Sequence, residues 1–211
     1  MEWPSLKRPI QASKQLLVEG RTPEIFFREW VQKLGLKDQV EVRDFRSLSQ
    51  LTDFLKVFTG YKEFRESVVS VGIVRDAEDK PAEAAYQSVC SSLQVVNLVY
   101  PETCGSFGDG TPRIGVFVLP DCEKPGMLET LCWNSLEAEP KNAKELACVK
   151  AHFDCLGRAE VPIRNPAKAK VWTYLAGRCD VDPLVGRAAQ ANIWNWESPA
   201  LKKLSDFIKG L

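Results

Sequence analysis

The chain has 211 residues, of which 45% are hydrophobic and 27% charged. That length can bury one sizeable core, and the proportions are those of an ordinary globular protein. Lys plus Arg and Asp plus Glu each number 28, so the formal charge is zero. This excludes a protein that holds nucleic acid by a bulk basic excess; a local basic face or a bound cation would have to supply the attraction. No apolar run of about 18 residues exists, so no membrane span is expected. The segment PIQASKQ after Lys7 and Arg8 lacks the apolar heart of a signal sequence. Cysteines 90, 104, 122, 132, 148, 155 and 179 are odd in number and form no CxxC pair. Neither a disulfide framework nor a structural zinc site is expected from that spacing. Cys90, Cys132 and Cys148 fall in apolar helical stretches, where a thiol acts as a small hydrophobe. A cytoplasmic protein is the expectation.

The elements follow in chain order. QLLV (15–18) is a short apolar run stopped by Glu19-Gly20, as a buried strand is. Thr22 is a candidate N-cap and Pro23 suits a first helical turn. Ile25, Phe26, Trp30, Val31 and Leu34 then share a helical face up to Gly35. VEVRDF (40–45) alternates apolar and polar as a second strand. Ser47 or Ser49 would cap a helix carrying Leu51, Phe54, Leu55 and Phe58. VVSVGIV (68–74) is the clearest strand and runs into Arg75-Asp76-Ala77-Glu78-Asp79, after which Pro81 opens a helix to about Leu93. The stretch 100–113 reads as a loop, and its glycine-rich segment Gly105–Gly110 as a flexible one. It matches neither a P-loop nor a dinucleotide fingerprint. IGVFVL (114–119) is a fourth strand, ending at Pro120-Asp121, and Gly126 precedes a short helix, MLETLCWNSL. Helical patterns follow at 143–156, 166–176 and 198–209. No internal repeat is present.

Alternating strands and helices over the first 135 residues predict an α/β fold with a mainly parallel sheet and helices on both faces. Ligands of such sheets bind outside the carboxyl ends of the strands. Glu19, Asp76, Glu78, Asp79 and Asp121 all follow strands there, and Glu129 lies in the first turns of the short helix. Carboxylates gathered at one edge repel unless a cation or shared protons compensate. An oxygen-only set suits Mg²⁺ or Mn²⁺ and leaves positions open to phosphate oxygens. On an extended segment, Asp76 and Glu78 face the same way.

LLVEG (16–20), VGIVRDAED (71–79) and LPD…GMLETL (119–131) together resemble a Toprim domain. The likeness is closest to small stand-alone prokaryotic Toprim-like proteins of uncharacterised function. It extends more distantly to the nuclease domain of the overcoming-lysogenization-defect family. KAKVWTYLAG (168–177) and GRAAQANIWNWESPAL (186–201) resemble the C-terminal part of the small family. The resemblance implies a Toprim-like domain over 1–135 and a helical extension over 136–211 packed on the same core. It also implies a Mg²⁺- or Mn²⁺-dependent phosphotransfer enzyme, a nuclease acting on DNA or RNA. Glu19 matches the glutamate at the family's catalytic centre, and Asp76 and Glu78 match its DxD metal motif. Here the motif is Asp-Ala-Glu with Asp79 directly after, so the ion would shift or Asp79 would serve instead. Glu129 would be the further acid near the metal.

Lys168, beside Lys170, is a candidate to neutralise a phosphate or transition state. The lone His152 has no partner for a metal triad. Trp172, Trp194 and Trp196 are either base-stacking residues or filling between helical tail and sheet. Two other functions stay open: a non-catalytic module binding a partner protein or phosphorylated ligand, and an aspartyl-phosphate phosphatase, of whose DxD this chain has only part. The partners in view are nucleic acid, a partner protein and a second copy in a homo-oligomer, with no membrane.

Overall fold

The computed structural model describes residues 3–179 and 181–211. Strands β1 (Lys14–Val18), β2 (Val40–Asp44), β3 (Ser70–Asp76) and β4 (Arg113–Leu119) form one parallel sheet in the order β2-β1-β3-β4. The crossovers are helical: α1 (Arg21–Lys33), then α2 (Leu48–Gly60) with α3 (Lys62–Ser67), then α4 (Ala82–Val95). After β4 come α5 (Leu128–Glu137), α6 (Ala143–Arg158), α7 (Pro166–Ala176), α8 (Val185–Gln190) and α9 (Lys202–Lys209).

Successive strand residues feed opposite cores, which is why the strands read as continuous apolar runs. Leu16, Val18, Val74 and Phe117 pack with Phe26 and Trp30 of α1, Leu131 of α5, Val171 of α7 and Phe207 of α9. Leu17, Ile73 and Val116 point the other way, onto Phe54 and Phe58 of α2 and Val89 and Leu93 of α4. The C-terminal helices therefore share one of the sheet's two cores. Gly72 in β3 makes this possible, since a Cβ there would stand 3.0 Å from Leu211 and 3.1 Å from Phe207. Among the described residues, no helix is long and apolar enough to cross a membrane.

Both sheet edges are covered, which protects them from pairing with another chain. Over β2, the Ser5 hydroxyl donates to the Asp44 carbonyl (2.6 Å) and Arg8 to that of Val42 (3.3 Å). Over β4, the glycine-rich loop lies antiparallel: Gly105 N–H donates to Val116 O (2.7 Å) and Gly108 N–H to Ile114 O (2.9 Å). The segment expected to be flexible is thus tied to the sheet. Phe107 crosses β4 at Gly115, stacked on Phe207 with ring centroids 4.9 Å apart. A Cβ on Gly115 would lie 2.5 Å from that ring. Gly115→Ala should therefore cost about 1–3 kcal/mol through overpacking, read as a lower urea midpoint at unchanged slope.

Several sequence expectations need correction. The third strand starts two residues later than expected and extends through Asp76. Thr22 lies inside α1, whose N-cap is Gly20 at φ 102°, a conformation that favours glycine. Ser47 is the N-cap position of α2 but makes no side-chain capping bond. Helices α3 and α8, six residues each, went unpredicted; neither is long enough to show a periodic face. Cys104 and Cys122 form a disulfide across 18 residues, because the β4-covering loop meets the turn after β4. No local spacing rule encodes that encounter. Cys90 and Cys132 are buried as expected, but Cys148 is exposed.

Candidate functional site

The chain leaves β1 for β2 on one side and returns to β3 on the other. The carboxyl ends of β1 and β3 thus flank a topological switch point, where adjacent crossovers diverge and open a crevice. Glu19 follows β1 and Asp76 ends β3, so the two acids face each other across it.

Each is fixed by the start of a helix. Glu19 Oε1 accepts the N–H of Leu48, first residue of α2 (2.9 Å). Asp76 Oδ1 accepts that of Leu128, first residue of α5 (2.9 Å). Unpaired N–H groups and the positive end of the dipole make helix starts good anchors for carboxylates. Glu78 adopts a left-handed conformation (φ 57°), uncommon for a side-chain-bearing residue, and its N–H donates to Gly126 O (2.7 Å). Gly126 is itself required: a Cβ there would sit 2.9 Å from Thr130 Oγ1 and 3.0 Å from Pro120. This closure brings the start of α5 against the end of β3. Glu129, buried, follows Leu128 and has Lys168 Nζ 3.8 Å from its Oε1. Lys168 stands in the first turn of α7, where Asn165 caps the helix by accepting its N–H (3.0 Å).

Glu19, Asp76, Glu78, Glu129, Lys168 and Trp172 line one cavity of about 220 Å³. Five of the six residues expected to carry chemistry therefore converge. Asp79 does not; it is exposed and absent from the lining. Asp121 is turned into its own loop, where Oδ1 accepts the N–H groups of Glu123 (3.1 Å) and Lys124 (2.9 Å). Lys170 lies over Trp133 (5.9 Å to the ring centroid), and His152 is exposed beside Phe153. The lining residues Thr22, Met127, Asn165, Leu184 and Val185 were not foreseen. The Asn165-Pro166 pair carried a readable helix-start signal; which neighbour that start meets is tertiary information.

Burial raises the Asp76 carboxyl to a pKa of about 7; the charges of Glu129, Glu19 and Glu78 push the same way, and the Leu128 N–H opposes them. Glu19 is also raised, chiefly by burial, with the Leu48 N–H and Arg75 acting against the shift. The crevice carries negative charge that its own residues leave under-compensated. Larger hollows of about 680 and 590 Å³ lie beside β2 and between α6 and α7. Of the cations lining them, Arg8 and Arg28 pair with Glu24, and Arg178 pairs with Glu145.

Among the described residues, no three His, Cys, Asp or Glu side chains are grouped as a ready-made metal cage. Mg²⁺ does not demand one: it usually keeps several waters and takes one or two carboxylates. Asp76, with one oxygen held by Leu128, and a neighbouring carboxylate in the same cavity fit that requirement.

No curated protein and no solved structure matches the chain. A family model described as a protein of unknown function (DUF3226) matches residues 13–211, and the chain belongs to that family.

Proposed function

We propose that this chain is a Mg²⁺- or Mn²⁺-dependent phosphotransfer enzyme of Toprim type, a nuclease acting on DNA or RNA. The observation that carries the reading is the convergence of Glu19, Asp76, Glu78 and Glu129 on one small cavity at the switch point. Asp76 and Glu78 would hold the ion, with Glu129 completing the acidic wall. A bound divalent cation would neutralise phosphate charge and lower the pKa of a water. Glu19, held above the ordinary carboxylate range by burial, is suited to exchange a proton nearer neutral pH. Lys168 brings a positive charge into the lining, placed to meet a phosphate oxygen.

The test uses the purified chain with Mn²⁺. Calorimetry should give saturable binding near millimolar concentrations. Single- and double-stranded DNA and RNA should include at least one substrate cut in Mn²⁺ and left intact in EDTA. Failure of both, alongside saturable binding of a protein or phosphorylated ligand, would replace the enzyme with a non-catalytic binding module.

A further inference from the structure

The structure separates the three tryptophans of the C-terminal part. Trp194 is 3% exposed, with its indole N–H donating to Val185 O (3.0 Å). Trp196 packs on Phe26 and Trp30, with centroids 5.3 and 5.5 Å away. Trp172 is 41% exposed and is the aromatic side chain in the lining of the acidic cavity. It stands one helical turn after Lys168 on the same face of α7. The Lys168 ammonium lies 5.3 Å from the Trp172 ring centroid and 3.8 Å from Glu129 Oε1. One lysine therefore joins an exposed aromatic plate to the acidic wall.

Size decides what that plate can meet. A cavity of about 220 Å³ falls below the roughly 300 Å³ at which pockets begin to enclose a drug-sized ligand. It has room for a phosphodiester group and adjoining sugar atoms, and the attached base must remain at the rim. Trp172 is at the rim. Indole stacks on any base through its π-face, so contact there is tolerant of sequence. A base within a duplex already has both faces covered by its neighbours and cannot offer one without being flipped out.

We infer that Trp172 is the stacking platform for an unpaired base, and that the substrate is single-stranded nucleic acid whose adjoining phosphate enters the Glu19–Asp76–Glu129 cavity. This rests on the phosphotransfer reading for the identity of the cavity, but its test does not require cleavage.

The experiment measures fluorescence anisotropy of a labelled single-stranded oligonucleotide, as DNA and as RNA. The full chain is titrated in Ca²⁺ and again in EDTA, with a duplex of the same sequence and a mononucleotide competitor as further arms. Trp172→Ala should weaken single-strand binding about tenfold or more. Trp172→Phe should restore most of it. Duplex binding should be weaker and indifferent to both substitutions, and the mononucleotide should compete only weakly because it lacks the flanking backbone. Circular dichroism checks that both variants are folded. Wild-type affinity of Trp172→Ala for the single strand, or a wild-type chain that prefers duplex, would overturn the inference. Trp172-dependent binding without any Mn²⁺-dependent cleavage would sustain the platform and remove the nuclease. Cleavage indifferent to Trp172 would do the reverse.

Discussion

Asp76→Asn should abolish Mn²⁺-dependent cleavage and, at the same pH, make the protein more stable than the wild type. The two effects share one cause. In the folded chain Asp76 has a pKa of about 7, against an ordinary value of 3.8. Between those values the native state binds more protons at this site than the unfolded state, so stability falls as pH rises through that window and stays low above it. At roughly 1.4 kcal/mol per pKa unit the ceiling is about 4 kcal/mol; solvent near the cavity mouth and relaxation of the neighbouring acids bring the expected penalty to about 2–4 kcal/mol. Asparagine keeps an oxygen for the Leu128 N–H and discards the charge. In urea, the variant should gain that amount at about pH 8 and show no gain at about pH 3, below both values, where wild-type Asp76 is largely protonated in both states. A variant less stable than wild type at the higher pH would refute the charge penalty. Mn²⁺ should raise the wild-type melting temperature by relieving the same repulsion, and should leave Asp76→Asn nearly unmoved.

A stabilising substitution at an acid is the mark of a group kept for something other than the fold. Yet Glu19 and Asp76 are also structural, since each gives one oxygen to the first N–H of a helix. The two roles are compatible. The bonded oxygen fixes the rotamer, and the other remains available to the cavity, so the helix start orients the carboxylate as an outer-shell partner orients a metal ligand.

How far the sequence revealed this site depended on the kind of information involved. Apolar runs halted by acids located β1, β3 and β4, and parallel topology sent Glu19 and Asp76 to the same edge. Glu129 was legible as an acid in a helix's first turn. Choosing among Asp76, Glu78, Asp79 and Asp121 was not. That depends on the left-handed turn at Glu78 and its bond to Gly126 across 48 residues, and on Asp121 folding back on its own loop. Trp172 and Trp194 are alike in sequence and opposite in exposure, because one faces a cavity and the other a neighbouring helix. The Cys104–Cys122 bond likewise arises where two loops meet.

The strand VEVRDF misled in another way, and its Arg43 gives the largest expected loss of stability. Alternation placed Arg43 on a polar face, but residues before β1 fold over that face and leave its side chain 0% exposed. Its guanidinium donates to Gln15 Oε1 (2.8 Å), Ser5 O (2.5 Å), Arg8 O (3.0 Å) and Pro9 O (2.9 Å), and pairs with Glu41 (2.7 Å). Only a planar five-donor fork reaches so many acceptors, so lysine cannot replace it. Arg43→Met retains length and apolar bulk but strands three carbonyls, an amide oxygen and a carboxylate. The cost should be about 3–5 kcal/mol, measured by urea unfolding. Hydrogen exchange should show protection falling first in residues 5–11 and β2, with β3 and β4 retained. A loss below about 1 kcal/mol would mean that water readily replaces the fork and that the strap is not pinned by it. A loss of the expected size would tie the strap to the site, since Arg43 immediately precedes Asp44, whose carboxylate accepts the Gly20 N–H (2.7 Å) directly beside Glu19.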